Sequence, residues 1–465
     1  MTAQSVLLVR PDPGNERFGL GPFFRVEPLA LEYLGAALRR DGARVTVADL
    51  HFRPPLARVV AEARPTLVGI TCLHALEYDR VIEAAREIRR LVPGVPIVVG
   101  GHAAAAYPQA LDCEAIDAIC AGDGEVVVRE IARAVREGRP LDEVAGVFVR
   151  RGGAWQKTTS APPVDMDDVA LPARDLVERY RSGYRCLQHR PVWLVETARG
   201  CPFRCSFCAV WAFNERAFRG RAVDAVALDF ATAGDRIFVV DDLFFYPPER
   251  SLELARALRR RGVHKNWILV QSRADLVARH PELLEAWRDL AGRLDIFFGF
   301  EAATDSALRE LSKDSSAAST AEAVKVARSL GVGVTGNFVI DVDWEEADFE
   351  RLWAFVAEHK LARAGYTLLT PLPGTQLFEQ RKERMNGHPW FKYDMHHALW
   401  RPRLGERRFF ELYAETWRRS VLNLRGDKSL ADWLRGVKLR EAADLARMLV
   451  QTQRMMRPEA YLEEY

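Results

Sequence analysis

Twice along this chain, short apolar runs alternate with amphipathic helical stretches, and few folds admit that rhythm. In residues 1–150 the runs are Ser5–Val9 (SVLLV), Arg44–Ala48 (RVTVA), Leu67–Thr71 (LVGIT), Pro96–Gly100 (PIVVG) and Asp117–Ala121 (DAICA). A strand-length run without polar alternation is buried on both faces, as in a parallel sheet covered by helices. Leu29–Arg40 and Tyr78–Leu91 carry helical spacing between the runs. Together they predict an α/β domain of the doubly wound, Rossmann-like kind. A polar stretch over about 151–190 holds Gly152-Gly153, Pro162-Pro163 and Pro172, and reads as a hairpin plus linker.

The alternation resumes over 191–380. Val192–Thr197, Arg236–Val240, Ile268–Ser272, Asp295–Gly299, Val334–Ile340 and Tyr366–Leu369 read as strands, and Pro281–Leu290 and Thr320–Leu330 as helices. Six β/α units predict a barrel or partial barrel whose chemistry sits at the strands' C-terminal ends. In 381–465 the strand signal stops, and Glu406–Arg425 and Leu430–Met456 read as helices.

Charge excludes some roles. Lys+Arg 66 against Asp+Glu 64 leaves a net charge of +2, so no global field drives the chain onto nucleic acid. No apolar run approaches the ~18 residues of a membrane span, and the first ten residues are too short a run for a secretory signal. The expectation is a cytoplasmic protein, at most peripheral to a membrane. Between Arg401 and Arg440, 11 Lys+Arg stand against five Asp+Glu, interleaved with Phe409, Phe410, Leu412, Tyr413, Trp417, Leu422, Trp433 and Leu434. Such a stretch fits either packing onto the barrel with a solvated basic face, or docking on an anionic bilayer.

Three of the seven cysteines fall within eight residues: Cys201-Pro202-Phe203-Arg204-Cys205-Ser206-Phe207-Cys208, directly after the first barrel strand. Soft thiolates suit an iron–sulfur cluster or zinc. Structural zinc takes four ligands, and no fourth stands at a customary spacing. Three cysteines on a 4Fe–4S cluster leave one iron open. The other cysteines, 72, 113, 120 and 186, read as core.

C-x3-C-x-aromatic-C after the first strand of a β/α barrel resembles the radical SAM superfamily. The resemblance implies that Cys201, Cys205 and Cys208 ligate a 4Fe–4S cluster. Its open iron would bind S-adenosylmethionine (SAM) and cleave it to a 5′-deoxyadenosyl radical, with an external electron donor. Asp241-Asp242 stands where that family has a Gly-Gly-Glu segment, so Asp242 is a candidate for the methionyl amine. Arg273, after Ser272, is a candidate for the SAM carboxylate, since its fork suits that group. Glu301 is placed near the ribose, with Asn337 and Asp341 flanking the fifth strand. Thr370-Pro371-Leu372-Pro373-Gly374-Thr375 resembles the segment closing around adenine.

With the first domain included, the layout resembles the cobalamin-binding class of that superfamily. Its candidate cobalamin residues are Thr71, Gly100, Gly101, His102, Gly122, Gly124 and Glu125, at the strands' carboxyl ends. Many cobalamin proteins carry an Asp-x-His-x-x-Gly loop after the first strand. Here residues 10–17 hold no histidine, and Asp49-Leu50-His51 follows the second strand without the glycine. Cobalt is therefore expected to lack that histidine, as in radical SAM methylases. His74 and His102 remain alternative ligands.

Within the class, the segments around Cys201, Asp242, Arg273 and Pro371 resemble bacterial hopanoid C-3 methylases. This implies methylation of an unactivated carbon of an apolar small molecule, such as a hopanoid-like triterpenoid. A cobalamin-dependent radical SAM cyclase that transfers no methyl is the alternative enzyme. A cobalamin sensor is disfavoured, because a sensor needs no open-iron cluster.

Overall fold

Parallel strands buried on both faces need a helix on each side, and the chain supplies them twice. The computed structural model describes residues 4–13, 24–361, 363–385, 387–423 and 439–462. It divides into two compact units, one built mainly of 27–183 with the first strand, the other mainly of 184–388 with the C-terminal helices.

In the first unit, β1 (Ser5–Arg10), β2 (Arg44–Asp49), β3 (Leu67–Thr71), β4 (Ile97–Gly100) and β5 (Ala118–Cys120) run parallel in the order β2-β1-β3-β4-β5. That is a doubly wound sheet whose order reverses between β1 and β3, where such folds open a crevice at the strands' carboxyl ends. Helices α1 (Leu29–Arg40), α2 (Tyr78–Leu91) and α3 (Gly124–Glu137) bury their apolar faces. A hairpin, β6 (Val147–Arg151) and β7 (Ala154–Lys157), continues the sheet antiparallel to β5. Its turn residues Gly152 and Gly153 both have positive φ, 61° and 83°, the conformation a tight hairpin demands.

In the second unit, β8 (Trp193–Val195), β9 (Arg236–Val239), β10 (Trp267–Arg273), β11 (Leu294–Glu301), β12 (Gly333–Ile340) and β13 (Ala364–Leu368) are all parallel. Each pairs with its neighbour in sequence. The end strands β8 and β13 do not pair with each other, so this is a partial (β/α)6 barrel. Phe298, Phe300 and Phe338 are buried, and the Phe300 and Phe338 rings lie 5.1 Å apart.

After α4 (Asp305–Glu310) and α5 (Gln376–Arg381), helix α6 (Glu406–Asn423) packs onto this unit. Phe409, Phe410, Leu412 and Tyr413 are all buried. Phe409 meets Phe349 at 5.7 Å, and the Tyr413 hydroxyl donates to the Tyr366 carbonyl at 2.9 Å. The exposed Arg408 pairs with Glu346, and Arg418 and Arg419 both pair with Glu415. These four apolar residues therefore belong to the core and not to a membrane face. Leu422, Trp433 and Leu434 lie outside the residues whose side chains are described. Among the described residues, no helix is long and apolar enough to cross a membrane.

Candidate active site

The cysteine loop leaves the β8 end through Gly200, whose φ of 89° places it in the left-handed region. A Cβ there would run into the Ala217 carbonyl, so the turn requires glycine. The Gly200 N–H donates to the Asp242 carboxylate, joining the loop to the end of β9. Two further bonds join it to the rest of the barrel mouth. Ser206 N–H donates to the Leu311 carbonyl after α4, and the Ser206 carbonyl accepts from Leu377 N–H in α5, each at 3.0 Å. The Trp211 indole N–H donates to the Cys205 carbonyl at 2.9 Å.

Cys201, Cys205 and Cys208 are half-buried, while Cys72, Cys113 and Cys186 are buried. Burial raises all three loop thiols, Cys208 to about 12. The thiols act electrostatically on one another, and the same neighbours recur around them: Asp242 at Cys201 and Cys208, Arg273 at Cys201 and Cys205, Glu301 and Lys313 at Cys205. Residues from the ends of three strands, with Lys313 after α4, thus surround one loop. Among the described residues no three His, Cys, Asp or Glu side chains converge on a single-ion site. A cubane cluster does not ask for that, because each cysteine takes a different iron. Three soft, half-exposed donors with no fourth therefore fit an open-iron cluster and not structural zinc.

The acidic pair, two and three residues past the end of β9, divides between a buried and an exposed carboxylate. Asp241 is buried; Thr197 donates to it through its backbone N–H at 2.6 Å and through its hydroxyl. Burial pushes Asp241 up to about 7. Asp242 is exposed, yet burial still pushes it up to about 6.

Arg273 is buried. Its Nε donates to Asp275 at 2.8 Å, its Nη2 donates to the Asp314 carbonyl, and its guanidinium lies 3.7 Å over the Phe203 ring of the cysteine loop. Ser272 is buried beside it, its hydroxyl donating to the Arg273 carbonyl at 3.3 Å. Glu301 has a φ of 63° just past a bulge in β11. Strain of that kind costs of order 1–3 kcal/mol and collects at functional sites. The buried Lys313 holds Glu301, its Nζ donating to Oε1 at 2.9 Å and to the Gly299 carbonyl at 2.6 Å. Asn337 Nδ2 donates to Thr367 Oγ1 at 2.7 Å across β12 and β13. Asp341 accepts from Asp343 N–H at 2.9 Å, and Thr375 caps α5 through the Phe378 N–H at 3.0 Å. Lys313 and Phe203 were missing from the sequence reading. Nothing local marks them, since helix α4 is what returns Lys313 to the end of β11.

In the first unit, Thr71 is buried at the β3 end, and Leu73, two residues on, is 49% exposed. Gly101 has a φ of 121°, and a Cβ there would strike the Cys72 carbonyl. His102 opens a five-residue helix, and Gly124 and Glu125 open α3. A Cβ added at Gly100 would meet Cys120 at 3.4 Å and one at Gly122 would meet Val127 at 3.5 Å, ordinary van der Waals distances. An exposed apolar side chain between glycine-built loops suits a large planar ligand at this edge. His74 Nδ1 accepts from Leu76 N–H at 3.2 Å. A neutral ring so bonded carries its proton on Nε2 and keeps no lone pair for a metal. The Asp49 carboxylate accepts from His51 N–H at 3.1 Å, a local cap that explains that pair. Residues 14–17 of the loop after β1 lie outside the described residues.

Two families account for these two sheets. Residues 22–132 match the B12 binding domain and residues 195–356 the radical SAM superfamily. The chain thus joins a B12 binding domain to a radical SAM domain, and the cofactors of this pairing are a 4Fe–4S cluster, SAM and cobalamin. It is 28% identical over 456 residues to the hopanoid C-3 methylase of Methylococcus capsulatus, covering 95% of this chain and 86% of that one. It is 26% identical over 357 residues to the anaerobic magnesium-protoporphyrin IX monomethyl ester cyclase of Rubrivivax gelatinosus, covering 74% of this chain and 63% of that one. The radical SAM methyltransferase TsrM from Kitasatospora setae, solved with cobalamin and a [4Fe-4S] cluster bound, shares the fold. Its TM-score is 0.67 at 22% identity, covering 83% of this chain and 76% of that one.

Proposed function

We propose that this protein is a cobalamin-dependent radical SAM methyltransferase acting on an unactivated carbon of an apolar polycyclic substrate, of which a hopanoid-like triterpenoid is the leading candidate. The observation that carries the substrate class is the similarity to hopanoid C-3 methylase along 95% of this chain, the C-terminal region included.

In this reading Cys201, Cys205 and Cys208 hold the cluster. Bound together, the groups supply reductive cleavage of SAM to a hydrogen-abstracting radical and a methyl group from cobalamin. The protein's own residues orient and shield. Asp242, accessible beside the cysteine loop, takes the methionyl amine. Arg273 keeps the cysteine loop in place through Phe203 and offers Nη1 to the SAM carboxylate. Glu301, held by Lys313, meets the ribose hydroxyls, and Asn337 lies along the same wall. In the first unit Thr71, Gly100, Gly101, His102, Gly122, Gly124 and Glu125 line the cobalamin edge.

The test is anaerobic reconstitution with iron, sulfide and cobalamin, followed by SAM, a low-potential electron donor and a pentacyclic triterpenoid. The expected products are 5′-deoxyadenosine, S-adenosylhomocysteine and a substrate heavier by one CH₂. Cys201→Ala, Cys205→Ala and Cys208→Ala should each abolish deoxyadenosine formation; full activity in any one removes that cysteine from the ligand set. The cyclase similarity supports a second reading, ring modification without methyl transfer. A product lacking the added CH₂ while deoxyadenosine still forms would favour it.

A further inference from the structure

A short strap, Leu311–Asp314, joins three parts of the barrel mouth. The Leu311 carbonyl accepts from Ser206 N–H in the cysteine loop at 3.0 Å. The Asp314 carbonyl accepts from Arg273 Nη2. Between them Ser312 has a φ of 53°, and Lys313 turns inward, 6% exposed. Burying an ammonium is costly unless it is paired and hydrogen-bonded. Lys313 meets both conditions, with Glu301 Oε1 at 2.9 Å and the Gly299 carbonyl at 2.6 Å. Gly299 makes the room, since a Cβ there would strike Glu301 and Lys313.

The placement does more than neutralise Glu301. The strap that carries Lys313 is bonded at Leu311 to Ser206, the residue after Cys205, and Lys313 and Glu301 act on the Cys205 thiol in opposite senses. A cation and an anion fixed beside one thiolate ligand are levers on the charge of whatever that thiolate holds. Fixed charge and hydrogen bonding near the sulfurs are among the terms that set a cluster's potential.

We propose that Lys313 is a positioning residue with two tasks: it fixes Glu301 in its left-handed conformation, and its buried ammonium favours the reduced, more negative state of the cluster held by Cys205. This rests on the cysteine triad holding an iron–sulfur cluster. The geometry gives opposite signs for the two partners. Loss of the cation lowers the cluster's midpoint potential, and loss of the anion raises it.

The experiment reads the midpoint potential by dye-mediated titration, followed by electron paramagnetic resonance, in anaerobically reconstituted full-length protein. The variants are Glu301→Gln, Lys313→Gln and the double variant. Glu301→Gln should shift the potential up and Lys313→Gln down. Lys313→Gln leaves a carboxylate without its cation, so the double variant carries the comparison if that single variant assembles no cluster. The double variant removes both charges, and its potential should lie below that of Glu301→Gln alone. Equal potentials in Glu301→Gln and the double variant, both loaded with cluster, overturn the role of Lys313, as does a shift of both single variants in one direction. If the wild-type protein assembles no cluster, the cluster reading itself fails, a distinguishable result.

Discussion

Asp241 and Asp242 are adjacent in sequence and opposite in fate. Because Asp241 is spent on Thr197 and Asp242 stays accessible beside the cysteine loop, Asp242→Ala should weaken SAM binding by about tenfold or more, the loss of one charge-assisted hydrogen bond. Asp241→Ala should weaken it less; equilibrium binding of SAM to the reconstituted protein measures both, and equal, negligible effects would remove the pair from the site. Asp241 also carries a pH signature. Its carboxyl is raised by burial from 3.8 to about 7, so between those values the folded state keeps a proton that the unfolded chain has lost. Stability from this group is full below about pH 4 and is lost as pH rises through about 7. Asp241→Asn keeps a neutral group against Thr197, so its stability relative to wild type should rise across that window by a few kcal/mol at most. Urea midpoints at pH 4.5 and 7.5 test this, and a pH-independent difference would contradict it.

Among the elements, the cysteine loop depends on one backbone conformation. Gly200→Ala adds a left-handed penalty of roughly 1–2 kcal/mol to the collision with Ala217. The variant should bind substantially less iron while retaining its secondary structure, measured by iron content and circular dichroism. Helix α6 is the second case. Phe409, Phe410 and Tyr413 are buried and Trp417 is half-buried, and exposed ion pairs of the kind its arginines make are worth about 0–1 kcal/mol. Replacing Arg407, Arg408, Arg418 and Arg419 with Gln should therefore leave the fold intact and co-sedimentation with anionic liposomes unchanged. A salt-sensitive loss of liposome binding in that variant would restore the membrane-docking reading.

For the whole molecule, the cysteine triad and every residue proposed to hold SAM lie in the second unit, and the glycine-rich edge proposed for cobalamin lies in the first. Cleavage of SAM should then survive omission of cobalamin, and methyl transfer should not. Protein reconstituted with cluster alone should form 5′-deoxyadenosine and no methylated product, as read by mass spectrometry. Loss of both activities together would show that cobalamin is needed for the SAM site itself.

The two α/β halves were legible because a strand buried on both faces must be apolar throughout, and the helices beside it must repeat at 3.6 residues. Leu29–Arg40 and Tyr78–Leu91 appear as helices with those bounds. The cysteine triad was legible because cluster ligation demands one residue type at fixed local spacing. Of the acidic pair the sequence singled out Asp242 by resemblance alone; that Asp241 is the one buried against Thr197 is decided by the turn after β9, which only the tertiary structure shows. Nor could the sequence place the aromatic residues of α6, since basic–aromatic patterning fits a core seam as well as a membrane face. Lys313 was invisible for the same kind of reason. Its partners Gly299 and Glu301 and the nearby Cys205 are brought to it by a helix returning on its strand, and a relation between distant segments exists only once the partial barrel has folded.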